Sequence, residues 1–120
     1  MSSDSRCVSS AVLGGYTLLV AFLSLRPADG VAPQMAHVDK VFHCLAYLFF
    51  FLLASRLCRT GRQLLLAALS IVIFGVLMEL GQSMVPGRQM SILDVVANTV
   101  GVLLAVVLVT KWHGRSHSSL

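Results

Sequence analysis

Long and mostly apolar runs, each with at most one charged residue, alternate along the chain with short segments that carry more charge. The runs cover about residues 7–25, 41–57, 63–81 and 91–110. Each is close to the roughly 20 residues that a helix needs to cross the apolar core of a bilayer. The pattern predicts an all-α membrane protein, a bundle of four transmembrane helices that forms one domain over residues 1–120.

The composition excludes most other classes of protein. Of the 120 residues, 57% are hydrophobic and 12% are charged, whereas a soluble domain has roughly 25% charged residues. An ordinary soluble domain, a disordered chain and a disulfide scaffold are therefore excluded.

Lysine and arginine are distributed unequally between the two sides of the predicted membrane. The side with both termini carries six of them: Arg6, Arg56, Arg59, Arg62, Lys111 and Arg115. The other side carries three: Arg26, Lys40 and Arg88. Because basic loops stay in the cytoplasm, we expect a multi-pass protein of the inner membrane with both termini cytoplasmic. The net charge of +4 then anchors the protein to anionic lipid, and we expect no nucleic-acid partner.

Polar residues near the membrane collect at the ends of the runs that this orientation places outside. Ten of them are candidate binding residues: Asp39, Lys40, His43, Tyr47, Glu79, Gln82, Arg88, Ser91, Asp94 and Asn98. An ionisable side chain inside a bilayer costs free energy unless it is paired or hydrated. Each is therefore a functional candidate, whereas Arg26 is interpreted as a solvated loop residue.

Helical spacing places these residues on shared faces. Asp39, His43 and Tyr47 are each four residues apart, so they lie on one side of the second helix. A spacing of three or four also joins Glu79 with Gln82, and Ser91 with Asp94 and Asn98. Gly75 and Gly101 continue two of these faces toward the cytoplasm, where small residues let helices approach closely. The spacing predicts one shared cavity that opens to the outside.

Glu79 lies at the end of its helix, where a negative charge opposes the helix dipole. We therefore expect a cationic partner for it, from among Lys40, His43 and Arg88.

Simpler roles remain open for several of these residues. Ser91 and Asp94 resemble a capping box at a helix N-terminus, and Asp39 could cap the second helix. Tyr47 could belong to an interfacial aromatic belt. The polar tail from Gly114 to Leu120 is expected to be disordered.

A metal site is conceivable from His43 together with Asp39, Glu79 and Asp94. One histidine among scattered carboxylates lacks a ligand spacing typical of metal proteins, and a charged network accounts for the same residues. We therefore predict no metal and no cofactor.

The ordered set of polar residues resembles the signature of the VanZ-like family. The matching pattern is Asp39-Lys40-x-x-His43-x-x-x-Tyr47, then Glu79-x-x-Gln82, then Pro86-x-Arg88-x-x-Ser91-x-x-Asp94-x-x-x-Asn98-x-x-Gly101. It covers roughly Val38 to Val102. The family consists of small membrane proteins and is named for a member linked to teicoplanin resistance. The resemblance implies a role in the cell envelope and an association with glycopeptide resistance.

The favoured hypothesis is binding of a membrane lipid or lipid-linked envelope precursor, with Arg88 and Lys40 holding a phosphate. A second hypothesis is an enzyme acting on a lipid head group, with His43 as acid or base and Asp94 and Glu79 as further catalytic candidates. The sequence is also compatible with a structural or assembly protein and with a small proton-coupled transporter. It makes no prediction about the oligomeric state.

Overall fold

Four α-helices make up almost all of the described structure. The computed structural model describes residues 2–27 and 36–118. Within these ranges the helices are α1 (Ser3–Leu25), α2 (Ala36–Ser55), α3 (Gly61–Gln82) and α4 (Ile92–Ser118). All four are long and apolar enough to cross a membrane. The predictions of an all-α fold and of four spans are confirmed, and the chain is a multi-pass membrane protein.

Three helix bounds differ from the predicted spans by four residues or more, and one of them is the start of α1, at Ser3 instead of residue 7. α2 begins at Ala36, five residues before the predicted start at residue 41, and α4 continues to Ser118 instead of ending at 110. The expectation of disorder from Gly114 is wrong as far as Ser118; residues 119 and 120 lie outside the described structure. Hydropathy gives the length of a span, but a helix can continue into water when polar side chains suit it. His113 is one example, because its Nδ1 donates to the Val109 carbonyl at 2.8 Å.

α2 and α4 form the most extensive helix contact, and they run parallel. Residues near the start of each helix meet at one end of the bundle, where Lys40 contacts Asp94. Further along, a Cβ at Gly101 would collide with the backbone carbonyl of Cys44 and lie 3.1 Å from the Leu48 nitrogen. Glycine is therefore required at this crossing, where two helix backbones are in contact.

The interior is built around aromatic side chains from three helices. Phe50 of α2 packs edge-to-face against Tyr16 of α1 and Phe74 of α3, each with ring centroids 5.5 Å apart. The Tyr16 hydroxyl also donates to the carbonyl of Ala46. Among the described residues of α1, only Val20 is buried. α1 therefore lies against the outside of a more tightly packed unit formed by α2, α3 and α4.

Candidate functional site

Burial separates a small polar group from the rest of the apolar bundle. Within the described part of the chain, the buried polar residues are Glu79, Gln82, Asp94 and Asn98. All four belong to the predicted set, and they lie where α3 ends and α4 begins. The side chains that cost most to bury are thus gathered at one end of the molecule.

Lys40 and Asp94 form an ion pair between α2 and α4. The Lys40 Nζ lies 3.1 Å from the Asp94 Oδ1, and the two side chains are 30% and 11% exposed. The backbone N–H of Asp94 donates to the Ser91 Oγ at 3.4 Å, so Ser91 does cap α4. The Asp94 carboxylate does not complete a capping box, because it reaches across to Lys40.

His43 is held between two side chains. Its Nδ1 lies 3.1 Å from the amide oxygen of Asn98, and since that oxygen can only accept, Nδ1 donates. On the opposite side of the ring, Nε2 lies 3.6 Å from the Asp39 Oδ2, one helical turn earlier on α2. The carboxylate beside His43 is therefore that of Asp39. Asp39 is in the first turn of α2, inside the helix, and is not its cap.

Glu79 has a different partner from the one expected. Its Oε2 accepts the backbone N–H of Ser91 at 3.1 Å, and no cation within the described ranges lies within 4.0 Å of its carboxylate. The expected cation is therefore not in direct contact with Glu79, although the charges of His43 and Arg88 lie close enough to act on this carboxylate. The start of α4 takes that place, because unpaired N–H groups give a helix N-terminus a partial positive charge.

A cavity of about 360 Å³ lies beside this charged group, between α1, α2 and the end of α3. Its walls are formed by Val20, Leu23, Ser24, Arg26, Asp39, Phe42, His43, Ala46, Tyr47, Gln82 and Arg88. We call this space the polar cavity. Half of the predicted residues line it: Asp39, His43, Tyr47, Gln82 and Arg88.

The other half of the predicted set, Lys40, Glu79, Ser91, Asp94 and Asn98, lies outside the wall of this cavity. We call these residues the charge network. It meets the cavity wall at His43, through the hydrogen bond to Asn98. The ten residues predicted to share one cavity therefore form two groups: five line the polar cavity, and the other five form the charge network beside it.

Arg26 is exposed, in agreement with its interpretation as a solvated residue, but it also lines the polar cavity and was not predicted as a site residue. It directly follows α1, on the side of the bundle where the predicted residues lie, and this position was the available signal. Arg88 follows a turn at Gly87, whose φ of 79° suits glycine. Its own N–H donates to the Val85 carbonyl at 3.1 Å.

Three polar groups at the cavity have no partner in the described chain. Tyr47 and Gln82 are each 2% exposed, and neither the phenol nor the amide makes a hydrogen bond to a described residue, although their polar atoms stay accessible from the cavity. The Nε of Arg88 is also buried without a hydrogen-bond partner. Most buried polar groups in folded proteins do have partners, and the Arg88 Nε is the one fully buried side-chain atom without a partner among the described residues.

A family model described as VanZ/LLP1 matches residues 4–113. The chain belongs to the VanZ/LLP1 family. The match extends beyond the 38–102 region of the resemblance and includes all of α1, except its first residue, and most of α4. No curated protein and no solved structure matches the chain.

One group of side chains in this VanZ-family protein has the composition of a metal site. Asp39, His43 and Asp94 each offer one ligand atom, and these atoms lie within 4.8 Å of one another. The Lys40 ammonium already contacts Asp94 at 3.1 Å, so a cation would have to compete with it. The absence of a metal stays a prediction.

A second space lies between the same three helices of the VanZ-family bundle, toward its other end. This apolar groove has a volume of about 380 Å³. It is lined by Leu13, Thr17, Phe50, Ala54, Leu57, Ala67, Ser70, Ile71 and Phe74. The bundle thus offers a polar space and an apolar space along one side of α1.

Proposed function

We propose that this VanZ-family protein binds the polar head group of a membrane lipid or lipid-linked envelope precursor in the polar cavity. The observation that carries the proposal is the set of partnerless groups there: the Tyr47 hydroxyl, the Gln82 amide and the Arg88 Nε. The buried Arg88 Nε costs about 1–3 kcal/mol if it stays unpaired, while the hydroxyl and the amide are accessible from the cavity and free to bind a ligand. A ligand with several oxygen atoms recovers this free energy by supplying hydrogen-bond partners.

The apolar groove supports a lipid over a water-soluble ligand. It lies between α1, α2 and α3, as does the polar cavity, and an acyl or isoprenoid chain suits its walls. Among the described residues of α1, only Val20 is buried. A lipid chain can therefore contact this side of the bundle from the bilayer.

The proposal includes an orientation in which the polar cavity faces the outer leaflet of the inner membrane. It is supported by the six basic residues on the side of the termini against three on the other side. At the outer leaflet, the cavity would meet envelope precursors, which is the setting of the family's association with glycopeptide resistance.

The proposal is tested by native mass spectrometry of the purified protein with a lipid extract from its membrane. Gln82→Leu removes a cavity amide, and the matched control Gln89→Leu makes the same change at an exposed position in the loop before α4. We expect several-fold fewer lipid adducts for the first variant and unchanged adducts for the second. Equal adducts for both would contradict the proposal and favour a purely structural role for the polar residues.

A second candidate function is chemistry on the bound head group, with His43 as acid or base. The supporting observation is that Asn98 fixes the His43 ring while the residue lines the polar cavity, because an acid or base must be held in position. His43→Gln should then abolish turnover of a bound lipid while leaving its binding within about twofold. Turnover by this variant at the wild-type rate would exclude the role.

A further inference from the structure

The three carboxylates near the polar cavity all have other partners. Asp94 accepts from Lys40 at 3.1 Å, and Glu79 accepts the Ser91 N–H at 3.1 Å. Asp39 lies 3.6 Å from the His43 ring. None of the three is paired with an arginine.

Neither guanidinium group of the cavity forms an ion pair with a described carboxylate, although the charge of Arg88 acts on that of Glu79. Arg26 follows α1 and Arg88 precedes α4, and both line the cavity. Within residues 2–27 and 36–118, neither has a carboxylate oxygen within 4.0 Å. Guanidinium groups that line a cavity form strong charge-assisted hydrogen bonds with anions, so these two cations favour an anionic occupant.

We infer, on the basis of the proposed function, that the head group is a phosphate monoester bound between Arg26 and Arg88. A phosphate monoester carries about −1.5 to −2 charges at pH 7 and three strong acceptor oxygens. Two guanidinium groups match that charge, and each can donate two parallel hydrogen bonds. A diester carries about one charge less and would leave one guanidinium unmatched.

The remaining cavity groups fit the same ligand. The amide of Gln82 and the hydroxyl of Tyr47 can donate to further ligand oxygens. Asp39 is the one carboxylate in the wall, and His43 lies beside it. The volume of about 360 Å³ corresponds to about a dozen water molecules at about 30 Å³ each. A phosphate with its five heavy atoms is smaller, so the first atoms of an attached lipid also fit.

This assignment replaces one made from the sequence. Lys40 was expected to hold a phosphate together with Arg88, but Lys40 is bonded to Asp94 and does not line the cavity. Arg26, which lines the cavity together with Arg88, takes its place. The cation that binds the ligand therefore comes from the end of α1 and not from α2.

The experiment measures affinity in detergent for three probes: dioleoyl phosphatidic acid, dioleoyl glucosyl-glycerol and inorganic phosphate. The two lipids have the same acyl chains, but only phosphatidic acid carries a phosphate. Inorganic phosphate has the phosphate without a lipid. The variants are Arg26→Gln and Arg88→Gln, with Arg62→Gln as the matched control at the exposed start of α3. Thermal unfolding confirms that each is folded, and Arg26→Lys and Arg88→Lys keep the charge if a glutamine variant is unstable.

We expect phosphatidic acid to bind at least about tenfold more tightly than the glucolipid. Each cavity glutamine variant should lose about tenfold or more of that affinity without changing glucolipid binding. The lysine variants should retain part of the affinity, because lysine keeps the positive charge but cannot donate the two parallel hydrogen bonds of a guanidinium. Arg62→Gln should bind like the wild type.

Three results would overturn parts of the assignment, and they are distinguishable. Equal affinity for both lipids, unchanged in the glutamine variants, would overturn the assignment of a phosphate head group but would leave the proposed lipid-binding function intact. Inorganic phosphate binding as tightly as phosphatidic acid would support the two arginines as a phosphate site and overturn the lipid source. Binding of none of the probes would overturn both the phosphate and the proposed function.

Discussion

At the scale of single residues, the Lys40–Asp94 pair shows how strongly a charge in this bundle depends on its partner. Lys40 is partly exposed, while Asp94 is nearly enclosed. Lys40→Met should therefore destabilise the protein by about 1–3 kcal/mol, because it leaves a buried carboxylate unpaired. The double variant Lys40→Met/Asp94→Leu should recover most of that loss. The measurement is thermal unfolding in detergent.

Lys111→Met is the control for this cycle, since Lys111 is an exposed lysine near the end of α4. We expect its unfolding temperature to match the wild type. A double variant as unstable as the sum of the two single variants would show that the two charges do not stabilise each other.

Cys58 provides a second prediction at this scale. It lies between α2 and α3, its Sγ is 3.4 Å from the Ala54 carbonyl, and burial raises the pKa of its thiol. A smaller fraction of the thiol is then present as the reactive thiolate at pH 7. Maleimide should modify Cys58 more slowly than the exposed Cys7, and its rate should keep rising as the pH increases above 8. Modification of both cysteines at the same rate at pH 7 would contradict this.

Residue identity alone was enough to select the buried polar side chains but not their partners. Glu79 illustrates the limit, because its partner is the backbone N–H of Ser91 and a backbone group leaves no mark in the sequence. The contact of His43 with Asn98 depends on which faces α2 and α4 present to each other. The place of Arg26 in the cavity wall was not predictable for the same reason, since it depends on where α1 ends relative to the cavity.

At the scale of helices, the α2–α4 crossing depends on glycine. Gly101→Ala would place a Cβ against the backbone of Cys44 and Leu48. A side chain could relieve this clash by adopting another rotamer, but a helix backbone cannot. The free energy of unfolding should therefore fall by about 1–3 kcal/mol or more. Unfolding in detergent measures this loss.

Gly15→Ala is the matched control, because a Cβ there meets nothing within 4 Å. It should be neutral or slightly stabilising, since alanine has a higher helix propensity than glycine. Equal effects of the two variants would mean that the close crossing does not contribute to stability.

The number of helices was predictable because a run of about 20 apolar residues is typical of a transmembrane helix. The small residue Gly101 also indicated a close helix contact correctly. The continuation of α4 to Ser118 was not predictable, because hydropathy marks where a bilayer ends and not where a helix does. The attachment of α1 through Tyr16 required knowing which helix lies beside it.

At the scale of the whole molecule, the proposed orientation can be tested by cysteine labelling in intact cells. In a variant without native cysteines, Gln89→Cys places a thiol in the exposed loop before α4, and restoring Cys7 places one near the N-terminus. A membrane-impermeant maleimide should label residue 89 in intact cells and Cys7 only after permeabilisation, because the basic loops keep the termini inside. Labelling of Cys7 in intact cells would place the polar cavity on the cytoplasmic side.

The parallel packing of α2 against α4 also constrains how the protein is assembled during synthesis. The two helices that contact each other most are separated in the chain by α3, so α2 enters the membrane before its main partner exists. Until α4 follows, Lys40 and His43 lack Asp94 and Asn98, and the glycine crossing cannot close. A nascent chain that stops after α3 would therefore expose the polar side chains of α2 without their partners. The insertion of α4 completes the charge network and the α2–α4 packing in the same step.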